Sequence, residues 1–195
     1  MSSCYRVFRF VFYVWFKLYN RLGVFHADKV PGEGGVIVVS NHASYLDPLA
    51  IATALKRRAT FMAKEGLFKI PLIRTFVASY SLPVRRGSPR PSTIKQAVGR
   101  LRQGGLIVMF PQGTRAIGGD AVDVKRGVDI IARMSGASIV PVFIRGTEKA
   151  LPAGSKLLRP AKITVRFGDP LKAEEGEDIS VKVQEAWDIL KGQGD

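Results

Sequence analysis

The sequence predicts a single α/β domain, a largely parallel or mixed central sheet flanked by helices, with an amphipathic helix at its N-terminus. Three observations carry this. Short apolar runs, often β-branched, recur along the chain; segments of helical periodicity separate them; and Pro/Gly clusters at 31–35, 86–91, 111–119 and 152–160 punctuate the series as surface loops. A chain of 195 residues is long enough to bury one core, and neither a linker nor an internal repeat divides it.

The first element is residues 1–22, expected as a membrane-anchoring helix ahead of a domain over 23–195. Wound at about 100° per residue, Arg6, Arg9, Lys17, Asn20 and Arg21 share an arc of about 120°, and large apolar side chains including Phe8, Phe12, Trp15 and Phe16 cover most of the rest. That is the profile of a helix lying in a membrane surface, with Phe8, Phe12, Trp15 and Phe16 as its lipid-facing residues. The longest charge-free stretch inside it, Phe10 to Phe16, is too short to span a bilayer. Lys17 and Arg21 fall where a signal peptide would need an apolar core and a cleavage site.

Strands are expected over 35–40, 59–63, 81–84, 106–110, 138–144 and 161–167, because each is a short apolar run bounded by turn residues. Helices are expected over 48–57, 71–79, 92–103, 127–135 and 179–191, the first with proline in its opening turn. The acidic stretch 173–178 reads as the solvated start of the last helix.

Composition narrows the partners. The formal net charge is +14, which calls for a polyanionic partner: phosphorylated small molecules, anionic lipid or nucleic acid. Residues 171–195 hold three Lys against seven Asp or Glu, so the positive field belongs to the body of the chain. Cys4 is the only cysteine, which excludes an intramolecular disulfide. Neither Cys4 nor the two histidines, His26 and His42, has metal-ligand spacing, so no bound metal or cofactor is expected. There is no recognisable nucleic-acid motif, and the aromatic residues are grouped as a membrane face, so no nucleic-acid partner is expected.

Two strings carry chemistry. In NHASYLDP, which follows the run ending at Ser40, Asp47 stands five residues after His42 across a turn that Asn41 and Ser44 flank. Asp47 precedes Pro48, which should keep it out of the helical region and let its carboxylate fold back onto the ring. Accepting the Nδ1–H of His42 would fix the tautomer and leave Nε2 as a general base. No G-x-S-x-G nucleophile elbow occurs in the chain, so the proton would come from a substrate hydroxyl. Ser44 is a candidate nucleophile, but its hydroxyl more simply caps the turn before the Pro48 helix. The second string, FPQGTR, supplies Gly113 for close backbone approach, Thr114 as a hydroxyl donor and Arg115 as a fork suited to phosphate. Arg85 and Arg86 beside Gly87 follow another strand and add to such a cradle; Lys125 and Arg126 extend it or face solvent.

With these residues in view the chain resembles the glycerolipid acyltransferases, from about residue 36 to 142. NHASYLDP resembles N-H-x-x-x-x-D. Ala63 and Lys64, Leu67, Pro71 and residues 84–87 resemble the second block, FPQGTR resembles F-P-E-G-T-R, and residues 139–142 resemble the apolar-proline block. The resemblance implies that His42 deprotonates the acceptor hydroxyl and Asp47 holds His42. It also implies that Arg86, Gly113, Thr114 and Arg115 bind the acceptor phosphate, supported by Asn41 and Gln112, and that Pro141 shapes the floor. The implied reaction carries a fatty acyl chain from acyl-ACP or acyl-CoA to the hydroxyl of 1-acylglycerol 3-phosphate, giving phosphatidic acid for phospholipid biosynthesis. The expected setting is an anionic membrane surface on the cytoplasmic face of the cell membrane. Gln112 for the usual Glu, Gly66 for another Glu and Arg74 for a glycine depart from the pattern and leave another lysolipid, or an amino-acid-headed lipid, open as acceptor. A catalytically silent lipid- or nucleic-acid-binding basic domain is the reading from another class.

Overall fold

A computed structural model describes residues 3–64, 80–84, 90–111, 121–155, 157–174 and 176–193. Helices α1 (Ser3–Tyr19), α2 (Asp47–Ala54), α3 (Pro91–Arg102), α4 (Ala121–Ser135), α5 (Thr147–Ala150) and α6 (Ile179–Gly192) accompany strands β1 (Gly23–Phe25), β2 (Val36–Ser40), β3 (Ala59–Lys64), β4 (Ser81–Val84), β5 (Leu106–Met109), β6 (Ser138–Arg145) and β7 (Thr164–Phe167). The strands form one seven-stranded sheet in the order β1-β7-β6-β2-β5-β3-β4. Every pairing is parallel except β6 with β7. The sheet is therefore mixed, within the expected class. The expected 71–79 helix lies outside the described residues, as do Gly66, Leu67, Pro71 and Arg74.

All five residues of β2 are buried, as a central strand covered on both faces requires. Val36 and Val38 join the core under α1 and α2, whereas Ile37 and Val39 join the core under α3, α4 and α6. Period-two alternation thus splits one apolar run between two cores. β1 went unpredicted because three residues are too few to show alternation; it pairs along β7, where Arg166 sits 4.1 Å above the Phe25 ring. The β7 ladder begins at Thr164, later than the expected 161. The preceding backbone is engaged by the residue that follows α1 instead: Asn20 Nδ2 donates to the carbonyls of Arg159 and Ala161, and Ile163 N donates to Asn20 O. α2 stops at Ala54, short of the expected 57. Arg57 turns back to donate to the carbonyls of Pro31 and Gly34, and burial lowers its pKa.

α1 is where expectation and structure part. Phe16 is 0% exposed and lies in the core with Leu22, and Phe12, Tyr13 and Trp15 pack against that core from partly buried positions. Tyr5 is also buried, its ring 5.1 Å from that of Tyr80. Phe16 therefore cannot face lipid while this packing holds, and Phe8, Phe12 and Trp15 form a chain of ring contacts along the helix flank. Burial of one such side chain is worth about 1.5–3 kcal/mol, which decides the rotation of the helix. Its outer face instead carries Val7, Phe10, Val11 and Leu18, with Arg6 and Lys17 alongside. Arg21, in the left-handed region at φ 48°, ends the helix. None of the described helices is long and apolar enough to cross a membrane.

Candidate active site

The crevice follows from the crossovers. Neighbouring parallel strands β2 and β5 send their following helices to opposite faces of the sheet, α2 to one and α4 to the other. Open α/β sheets bind ligands beyond the carboxyl ends of strands that diverge in this way. Register completes it: Val39 pairs with Met109, so residues 41–47 and the segment starting at Phe110 leave the sheet side by side.

His42 and Asp47 meet there. His42 Nδ1 lies 2.8 Å from Asp47 Oδ2, and the same oxygen accepts the backbone N–H groups of Ala43 at 2.7 Å and Ser44 at 2.8 Å. The Asp47 side chain is 0% exposed and that of His42 is 20% exposed. Asp47 is itself the first residue of α2, with Pro48 after it, so the carboxylate folds back from inside the helix start, not from an extended residue before it. The imidazole ring rests on Phe110, centroids 4.5 Å apart. The acid fixes one end of the ring and the aromatic platform fixes its plane. Among the described residues, Nε2 has no hydrogen-bond partner.

Asn41 anchors the segment from the other side. Its Nδ2 donates to Ile144 O and its Oδ1 accepts from Ile144 N, both at 2.8 Å. The side chain thus imitates one more rung of the β2–β6 ladder beyond Ser40. Ser44 Oγ donates to Leu151 O at 3.1 Å and accepts weakly from Leu46 N. At 1% exposure its hydroxyl is a fastener between the turn and the chain after α5. Pro141 is buried opposite Val39, with its ring toward Gly168 and Leu190 on the α6 side of the sheet, away from the His42 ring. It shapes the sheet beneath the site and does not line the face that carries the imidazole.

Arg86, Gln112, Gly113, Thr114 and Arg115, together with Arg85 and Gly87, lie outside the described residues. What the geometry assembles is an oriented base beside the strand end that leads into the FPQGTR string. Sequence reasoning missed the Phe110 platform and the roles of Ile144 and Leu151. The last two act through backbone atoms, which leave no residue signature, whereas an aromatic next to the glycine turn was a signal open to reading.

A family model described as Acyltransferase matches residues 21–145. The 1-acyl-sn-glycerol-3-phosphate acyltransferase of Bacillus subtilis (strain 168) is 30% identical over 150 residues, covering 76% of this chain and 72% of that protein. The chloroplastic 1-acyl-sn-glycerol-3-phosphate acyltransferase LPAT1 of Arabidopsis thaliana is 29% identical over 190 residues, covering 89% of this chain and 53% of that one, so the chain spans about half its length. Among solved structures, PlsC from Thermotoga maritima, a 1-acyl-sn-glycerophosphate (LPA) acyltransferase, superimposes with a TM-score of 0.74 at 24% identity, covering 100% of this chain and 86% of that one. At that identity the match speaks for the fold.

Proposed function

The chain belongs to the acyltransferase family and is an O-acyltransferase, and from that premise we propose that it carries a fatty acyl group from an acyl thioester to the free hydroxyl of 1-acylglycerol 3-phosphate, giving phosphatidic acid. The observation that carries this reading is the His42–Asp47 pair, 2.8 Å apart with a fully buried carboxylate, at the mouth of the β2–β5 crevice.

In this mechanism His42 Nε2 takes the proton of the acceptor hydroxyl as its oxygen attacks the thioester carbonyl carbon. Asp47, accepting Nδ1–H, steadies the imidazolium that forms. The tetrahedral adduct then collapses, the C–S bond breaks, and the thiolate takes its proton from the imidazolium. A thiol with a pKa of about 8.5 leaves without strong acid assistance, so no serine nucleophile is required. Arg86 and Arg115, with Gly113, Thr114 and Gln112, are the residues for the acceptor phosphate. The donor is carried by acyl carrier protein or coenzyme A. Work takes place at the cytoplasmic face of the cell membrane, held there peripherally by the outer face of α1, where Val7, Phe10, Val11 and Leu18 stand beside Arg6 and Lys17.

Gln112 and Gly66, where the family pattern has Glu, favour a second reading in which another lysolipid, or an amino-acid-headed one, is the acceptor. A panel of lysolipids offered with one acyl thioester, read by mass spectrometry, separates the two. Lysophosphatidate should be acylated fastest, and His42→Ala should lower turnover at least about 10²-fold with the fold unchanged. Acylation of none of the panel, or an undiminished rate in His42→Ala, overturns the proposal.

A further inference from the structure

We propose that the loop carrying Leu157 and Leu158 is a second membrane-docking element, and that the cavity between it and the end of α1 takes the phosphate headgroup of an anionic bilayer phospholipid. The inference rests on the reading that the acceptor is presented by a bilayer, and it adds a surface that α1 alone does not supply.

Leu157 is 70% exposed and Leu158 is 38% exposed. Hydrogen bonds hold the backbone on either side of these two adjacent leucines. Arg159 N donates to Ala150 O at 2.8 Å, closing the loop at its base. Tyr19 Oη donates to Leu158 O, and the Asn20 carboxamide donates to the carbonyls of Arg159 and Ala161. Leu157 N donates in turn to Ser155 Oγ. The Tyr19 tether therefore ties the Leu158 backbone to the end of α1, where the neighbouring Leu18 is 80% exposed. Exposed leucines of the loop and of the helix end thus belong to elements that are tied together, and grouped exposed apolar side chains mark sites that something covers.

Charge identifies the cover. Between loop and helix lies a cavity of about 390 Å³ lined by Leu18, Tyr19, Arg21, Pro160, Ala161 and Lys162. That is within the usual range for a small-molecule site. Arg21 and Lys162, which line it, are exposed, as is Arg159 one residue before its Pro160 wall, and neither residues 3–22 nor residues 153–162 include a single Asp or Glu. Exposed leucines beside cations, on two segments that carry no acid to repel phosphate, complement the interface of an anionic bilayer, where leucine enters the acyl boundary and guanidinium stays among headgroups. The loop also touches the catalytic segment, since the Leu151 carbonyl at its root accepts the Ser44 hydroxyl two residues from His42. Docking here would set the height of the His42 crevice above the membrane.

The test uses the full chain with vesicles of phosphatidylcholine mixed with phosphatidylglycerol, and with phosphatidylcholine alone. A polarity-sensitive dye on Leu157→Cys, in a Cys4→Ser background, should shift to the blue on the anionic vesicles. Leu157→Asp combined with Leu158→Asp should weaken vesicle partition at least about tenfold, with an unchanged circular dichroism spectrum. Its turnover of a detergent-dispersed acceptor should stay near that of the parent, while turnover of a vesicle-borne acceptor falls with partition. The inference is overturned if the dye stays in water while the protein sediments with vesicles, if the double variant binds like the parent, or if oligonucleotides shift the dye as vesicles do. A dye shift in a protein that acylates no lysolipid would uphold the docking surface and sink the proposed reaction.

Discussion

Asp47→Asn tests the catalytic pair most directly, and the structure fixes what the substitution does. Three donors converge on Oδ2: the His42 ring and the N–H groups of Ala43 and Ser44. In the asparagine variant only the amide oxygen can occupy that position, because the amide nitrogen would face two backbone donors. The tautomer of His42 is thus kept, and the loss comes from the missing negative charge. Opposite unit charges about 4 Å apart attract by about 4 kcal/mol at an effective dielectric of about 20. The amide dipole retains part of this, so turnover should fall about 10²–10³-fold, at about 1.4 kcal/mol per factor of ten. The amide nitrogen takes the place of Oδ1, which is buried without a hydrogen-bond partner among the described residues, and an orphaned buried donor costs about 1–3 kcal/mol of stability. Single-turnover thiol release gives the first quantity and urea unfolding the second. A rate within tenfold of the parent, in a protein whose unfolding shows it intact, would refute the claim that a carboxylate–imidazole pair drives the reaction.

Two further perturbations probe the frame around that pair. Asn41→Ala removes both bonds to the Ile144 backbone, and should cost about 1–3 kcal/mol in urea unfolding while lowering kcat more than it raises KM, since the ring moves and the acceptor site does not. Tyr5 is buried and its pKa is raised by that burial. Its contribution to stability is therefore full below the ordinary tyrosine value of about 10 and lost as pH rises through the folded-state value. Tyr5→Phe should flatten the alkaline limb of a stability-against-pH curve, and an unchanged limb would show that another group sets it.

Local pattern made much of the fold legible. The runs that became β2, β3, β4, β5 and β6 were readable because each is short, apolar and bounded by turn residues, and β4 was placed to the residue. Gly35, just before β2, illustrates the limit: a Cβ there would meet the Leu101 carbonyl at 2.6 Å, a close approach that only the packed helix α3 reveals. The His42–Asp47 pair was legible because its members lie five residues apart across one turn. Its Asn41–Ile144 support, 103 residues apart in sequence, was not.

The sequence by itself determined that helices alternate with strands, that one domain carries a basic body, and that NHASYLDP and FPQGTR follow strands. All of these depend on residues close in the chain. Tertiary structure alone decided the strand order, the antiparallel β7, the sheet face that Pro141 occupies, and the rotation of α1. That rotation sends Phe16 into the core and leaves Phe10 and Leu18 outside. Aromatic residues surround that helix on most sides, so its periodicity offers more than one apolar face. Only the burial of Tyr5 and Phe16 in the packed body, and the Asn20 bonds to the backbone ahead of β7, select the one that turns inward.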